Sequence, residues 1–244
     1  MSTETLETGA SPAPATVPPA PAWTRAVGWG ALLLLIAGEA YGFFGSSPDR
    51  DMGHLQKIMY VHVPAAWAAL IAYTVVSYAG VMYLWKRDEN YDHLGVAAAE
   101  AGIVFNALAL ALGMIWGRPT WGVWWTWDAR LTSTAVLLMI FLGYLSLRSF
   151  TDGFERRARW SAVVGIFGIL GSFFVYFSVR WWRTLHQVQS SPETVDTSYA
   201  WGLRINAIAF LLLFIYFAAQ RFRAAKLERI VELRAEERAL TSNG

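Results

Sequence analysis

The chain has 244 residues, of which 55% are hydrophobic, 15% aromatic and only 16% charged, a balance too apolar for an ordinary soluble domain. Its formal net charge of +2 comes from basic residues scattered along the chain rather than gathered in a patch, which argues against a nucleic-acid partner. There is no cysteine, so structural disulfides, Cys-ligated zinc, iron–sulfur clusters and thioether attachment of a heme are excluded.

Residues 1–22, MSTETLETGASPAPATVPPAPA, are rich in Pro, Ala and Thr and lack the basic start and apolar core of a signal peptide; they read as a disordered tail. Six stretches then approach the roughly 20 apolar residues that a membrane-crossing helix needs: 26–45, 62–85, 96–116, 131–148, 160–180 and 203–220. Glu39 interrupts the first and Glu100 lies near the start of the third, whereas Trp160 to Val179 is free of charge. With no repeat and no internal linker, the expected fold is all-α: a polytopic membrane protein of six transmembrane helices. The chain divides into a tail over 1–24, a membrane domain over 25–220 and a C-terminal helix or tail over 221–244. In that last stretch RFRAAKLERIVELRAEERAL mixes both signs of charge and continues the final span as a solvated helix.

Orientation follows from the basic residues. Of the 20 Lys and Arg, 13 fall in the two termini and the even-numbered loops and 7 on the other side, so both termini are expected in the cytoplasm. The loop after span three is then on the outer face, together with His54, His62 and His186, while His93 is on the inner one.

That outer loop is WGRPTWGVWWTWDAR, residues 116–130, with five of the chain's 13 tryptophans. An aromatic belt at a membrane interface spreads one or two Trp per helix end, so five in one loop suggest a broad flat surface to be covered. If 121–128 forms a helical turn, Trp121, Trp124, Trp125 and Asp128 share one side. Arg118, Arg130, Arg180 and Arg183 offer forks for carboxylates or snorkel at helix ends. His62 stands in YVHVPAAW, where Pro64 suits a first helical turn, and His186 in VRWWRTLHQ, past the outer end of span five. His54 lies in a short polar loop on the same side. Each histidine taken alone suits an interfacial hydrogen bond. An apolar, flat ligand with two carboxylates and an imidazole-seeking metal would use indoles, Arg and His together, and heme is such a ligand.

The stretch WGRPTWGVWWTWDAR resembles the tryptophan-rich "WWD" signature of the heme-handling proteins of cytochrome c maturation. HVPAAW and RWWRTLHQ resemble the CcmC (heme exporter protein C) family in particular, over residues 25–220. Two larger relatives, the CcmF and CcsA types, share the signature but have more spans. The resemblance implies a multi-pass protein of the bacterial inner membrane that holds heme b noncovalently and transiently on the periplasmic side. It also implies delivery to the heme chaperone CcmE, and a complex with the ATPase CcmA and the subunits CcmB and CcmD. Carried onto this chain, His62 and His186 would be the axial ligands of the iron. Trp116, Trp121, Trp124, Trp125, Trp127, Asp128 and Arg130 would form the platform. No G-x-x-x-x-G-K-[ST] phosphate loop is present, so the chain is read as a non-enzymatic component and ATP hydrolysis is assigned to a partner.

Two other classes stay open. A small-molecule transporter fits six spans and an intramembrane Glu39, although its polar residues should line a crossing path rather than one surface. A membrane electron-transfer protein with permanent heme fits two histidines, although such ligands usually face each other within the membrane. Glu39 reads as a contact to a partner helix or as a structural carboxyl, and Asn106 as an interhelical hydrogen bond.

Overall fold

The computed structural model describes residues 19–186 and 197–242. They form α1 (Ala22–Ala40), which runs on into a π-helical turn over Tyr41–Gly45, and a 3₁₀ turn (His54–Ile58) that leads into α2 (Met59–Lys86). Then follow α3 (Glu89–Trp121), α4 (Ala129–Phe150), α5 (Phe154–Trp181) and α6 (Thr197–Ser242). All six helices are long and apolar enough to cross a membrane, and the described residues contain no strand.

The helices outrun the expected spans because a hydropathy window stops at the first charges, whereas the backbone stops at caps. Asp88 accepts the Asn90 N–H at 2.9 Å and so starts α3 well before the apolar run, with Glu89 and Asp92 in the positive first turn. The same helix continues past residue 116 to Trp121 and ends at Gly122, whose positive φ of 79° suits a residue without a side chain. The expected helical turn over 121–128 is therefore absent. Residues 123–127 are irregular, with a bend at Trp124, until Asp128 caps α4, so the tryptophans there do not share one helical face. Likewise α2 begins at Met59, which places Pro64 beyond the first turn. The tail expected over 1–24 lies mostly outside the described residues, and its last three residues already belong to α1, with Pro21 as N-cap.

Helix α2 is the centre of the bundle, packing on α3, α5 and α6, while α1 leans chiefly on α6. Alanines make this possible: Ala65, Ala69 and Ala72 of α2 face Ala98, Ala101 and Ala109 of α3, and without a water-driven force between helices such small residues allow the close approach that packing needs. Below them Tyr73 stacks on Phe141 of α4 at 3.8 Å. Asn106 donates from Nδ2 to the Tyr73 hydroxyl at 3.2 Å and the Thr134 carbonyl at 3.3 Å, and so ties α3 to α2 and α4. Glu39 lies beside Asn206 of α6 with its Oε1 buried and unpaired.

The two ends of the bundle differ in chemistry. One carries the Trp-rich stretch, the start of α2 and the end of α5. The opposite end is fastened by ion pairs: Arg148 to Asp92 in two hydrogen bonds of 2.5 and 2.8 Å, Arg221 to Glu100 at 2.8 Å, and Arg157 to Glu232 at 3.0 Å. The first pair ties α4 to α3, and the other two hold the charged half of α6 against α3 and α5; α6 runs unbroken through the stretch expected to continue it as a solvated helix.

Candidate functional site

His62 occupies the first turn of α2, turned toward the last turns of α3. There Trp116 meets it edge to face, with ring centroids 5.8 Å apart and planes at 81°. Gly113, one turn earlier, makes room: a Cβ at that position would lie 3.0 Å from His62 Cε1, tighter than ordinary packing. Nδ1 of His62 is buried without a hydrogen-bond partner, an unusual state for an interior polar atom.

His186 follows the end of α5 and packs against Trp121, with centroids 4.8 Å apart at 65°. Two tryptophans of α3, five residues apart, thus each brace one histidine. Nδ1 of His186 lies 3.4 Å from Asp128 Oδ1, without the alignment of a hydrogen bond. Burial pushes this ring down to about 4; the Asp128 carboxylate opposes the shift and the Arg130 cation adds to it, so the imidazole is neutral at pH 7. Burial alone would raise the Asp128 carboxyl. It lies instead below its ordinary value, because the Thr184 hydroxyl, the backbone N–H groups of Leu185 and Arg130, and His186 all favour the anion.

Both histidines line one cavity of about 340 Å³ between α2, α3, α4 and α5. Its inner wall is apolar, formed by residues such as Ala69, Leu70, Leu137 and Val175, and Asn106 marks its polar floor. Trp116 and Trp121 flank the imidazoles, and Trp67 also lines the cavity. Arg130 also reaches the cavity; its Nη2 donates to the Tyr176 carbonyl at 3.3 Å, while its Nε is buried without a partner. Two imidazoles, an apolar slot and a guanidinium form a donor set for a flat apolar ligand that carries a metal and acidic groups.

Of the residues expected from sequence, His62, His186, Trp116, Trp121 and Arg130 come together on this cavity. Trp124 and Trp127 do not line it and are 58% and 84% exposed; Trp125 packs edge to face on Trp127 at 5.8 Å. Asp128 is buried behind His186 and is likewise absent from the lining. His54 is exposed and does not line the cavity, and His93 lies at the opposite end of the bundle. Sequence reasoning gave no role to Gly113 or Trp67. A glycine three positions before a site tryptophan in an apolar span was the available signal for the first.

Residues 9–237 match the family model CcmC, heme exporter protein C. Two similar proteins named "Heme exporter protein C" are those of Bradyrhizobium diazoefficiens and Escherichia coli K12. The first is 39% identical over 197 residues, 78% of this chain and 75% of its own length. The second is 34% identical over 195 residues, 79% of each chain. A Marchantia polymorpha protein named "Putative cytochrome c biosynthesis ccmC-like mitochondrial protein" is 33% identical over 171 residues, 70% of this chain and 69% of its own.

Proposed function

The chain belongs to the heme exporter protein C family, and we propose that it holds heme b transiently in the cavity between His62 and His186 and hands it to the heme chaperone CcmE. Membership makes it a multi-pass membrane protein that handles heme for cytochrome c biogenesis. One observation carries the finer reading: two buried histidines, from α2 and from the segment after α5, line a single apolar cavity, and each is braced by a tryptophan of α3.

Heme iron takes two neutral imidazoles as axial ligands. The protein's own part is to keep both rings oriented and shielded, and the His186 ring neutral. Burial keeps His186 uncharged at neutral pH, and Trp116 and Trp121 limit the tilt of the two rings. Arg130, with an unpaired buried Nε, is the cation placed to meet a propionate. Trp124, Trp125 and Trp127 stand outside the cavity and extend an aromatic surface beyond its mouth, where the part of the ligand not enclosed would rest. Without cysteine the association is noncovalent and so reversible.

The 13-to-7 distribution of Lys and Arg supports cytoplasmic termini and, with them, a cavity on the periplasmic side of a bacterial inner membrane. The chain has no phosphate loop, so work is drawn from the ATPase CcmA, acting through CcmB and CcmD. Movement of those subunits would loosen the histidine pair and let the chaperone compete for the iron.

The test is the visible spectrum of the detergent-purified protein beside His62→Ala and His186→Ala, with the chaperone absent. A low-spin heme spectrum that weakens or turns high-spin in both variants supports the site. A colourless wild type that does not take up added heme overturns it and returns the transporter class to consideration.

A further inference from the structure

The stretch 182–186, which carries His186, lies outside any helix and is anchored by one carboxylate. Asp128 Oδ1 accepts the N–H groups of Arg130 at 2.8 Å and Leu131 at 3.3 Å, capping α4, while Oδ2 accepts the Leu185 N–H at 2.8 Å. The Thr184 hydroxyl bonds to the same carboxylate and accepts the His186 N–H at 3.1 Å. The His186 Nδ1 lies 3.4 Å from Oδ1, and the Asp128 side chain is only 3% exposed. Helix α4 reinforces the arrangement, since its positive N-terminal end favours an anion there.

We infer that Asp128 is a positioning residue: it latches residues 184–186 to the start of α4 and fixes the His186 ring with Nδ1 toward the carboxylate and Nε2 as the nitrogen left for the ligand. The inference rests on the heme-site reading above and reassigns the aspartate of the WWD signature from the platform to the second histidine. Three features favour it. Both carboxylate oxygens are committed to backbone N–H groups, Asp128 does not line the cavity, and one side chain joins the end of the Trp-rich stretch to the His186 segment. A carboxylate beside the distal nitrogen of a ligating imidazole sets its tautomer and increases its basicity. The aspartate therefore acts on the iron through His186, without touching the ligand.

Hydrogen–deuterium exchange of the ligand-free, full-length protein is the direct test, with Asp128→Ala, Asp128→Asn and Thr184→Val. Losing a charge-assisted hydrogen bond should speed exchange at Leu185 and His186 by about ten- to a hundred-fold in Asp128→Ala. Thr184→Val, which spares the cap of α4, should show a smaller increase confined to 184–186. In the heme-loaded protein, Asp128→Ala should shift toward high spin and recover a low-spin spectrum when free imidazole is added. Asp128→Asn, which removes the charge, should raise the midpoint potential of the heme. Unchanged exchange at 184–186 in both Asp128→Ala and Thr184→Val overturns the latch while leaving a histidine-dependent heme site intact. Wild-type heme binding by His62→Ala and His186→Ala instead overturns the site, whatever the exchange shows.

Discussion

The His62 ring meets Trp116 edge to face, with centroids 5.8 Å apart at 81°, and Gly113 lies directly beneath the imidazole. An edge contact of this kind contributes about 0.5–1.5 kcal/mol beyond its area. Trp116→Ala should therefore weaken heme affinity by roughly three- to tenfold through a freer His62, with larger losses if the emptied space collapses. Heme titration of the purified variant checks this. An affinity equal to that of the wild type would mean that the indole only fills space.

Gly113→Ala separates site geometry from stability. In a helix interior the exchange alone favours the folded state by roughly 0.5–1 kcal/mol. The added Cβ, however, would lie 3.0 Å from His62 Cε1, so the ring must shift. The expected outcome is an unchanged or raised thermal midpoint in the ligand-free protein together with weaker heme binding. Thermal unfolding and heme titration on one preparation decide it, and a parallel fall in both would point to a general packing defect instead.

These two positions also show what could be read before the fold. The six spans were legible because lipid demands about 20 apolar residues per crossing. The histidines and tryptophans were legible because their residue types are costly to cluster without a ligand. The grouping into His62 with Trp116 and His186 with Trp121 was not, since it depends on α3 continuing to residue 121 and ending at Gly122, a matter of caps rather than hydropathy. The same limit misled the reading of 121–128: periodicity suggested a helical face, but the positive φ at Gly122 and the cap at Asp128 leave an irregular, non-helical link. Gly113 offered only its place three residues before Trp116, and what a missing side chain makes room for is not readable until its neighbour, His62, is placed.

The ion pair of Arg148 with Asp92, at the end of the bundle opposite the cavity, should bear on stability alone. Its side chains are 12% and 2% exposed, and it joins α4 to α3 by two hydrogen bonds. Asp92→Leu leaves a buried guanidinium unpaired, which typically costs about 3–5 kcal/mol. The variant should express poorly and melt several degrees lower, yet whatever folds should take up heme with the wild-type spectrum. A heme spectrum altered at equal occupancy would show coupling between the two ends of the bundle.

The pH dependence of the ligand-free protein has a definite sign. His186 is held down to about 4 against an ordinary value of 6.5, chiefly by burial. For a histidine lowered by folding, the unfolded chain binds the proton more readily. The stabilisation is full above pH 6.5 and is lost progressively as the pH falls toward 4. Asp128 acts in the same direction at more acid pH: its carboxyl is lowered, so its contribution is present above the ordinary carboxylate value and fades as the pH drops through its folded one. The thermal midpoint should thus be flat near pH 7 to 8 and decline below pH 6.5. His186→Gln removes the titrating ring and keeps a neutral polar side chain, so it should flatten the part of that decline between pH 6.5 and 4 while leaving the fall at lower pH. Melting curves of both proteins at half-unit pH steps check it. An undiminished slope in His186→Gln would place the acid sensitivity elsewhere in the chain.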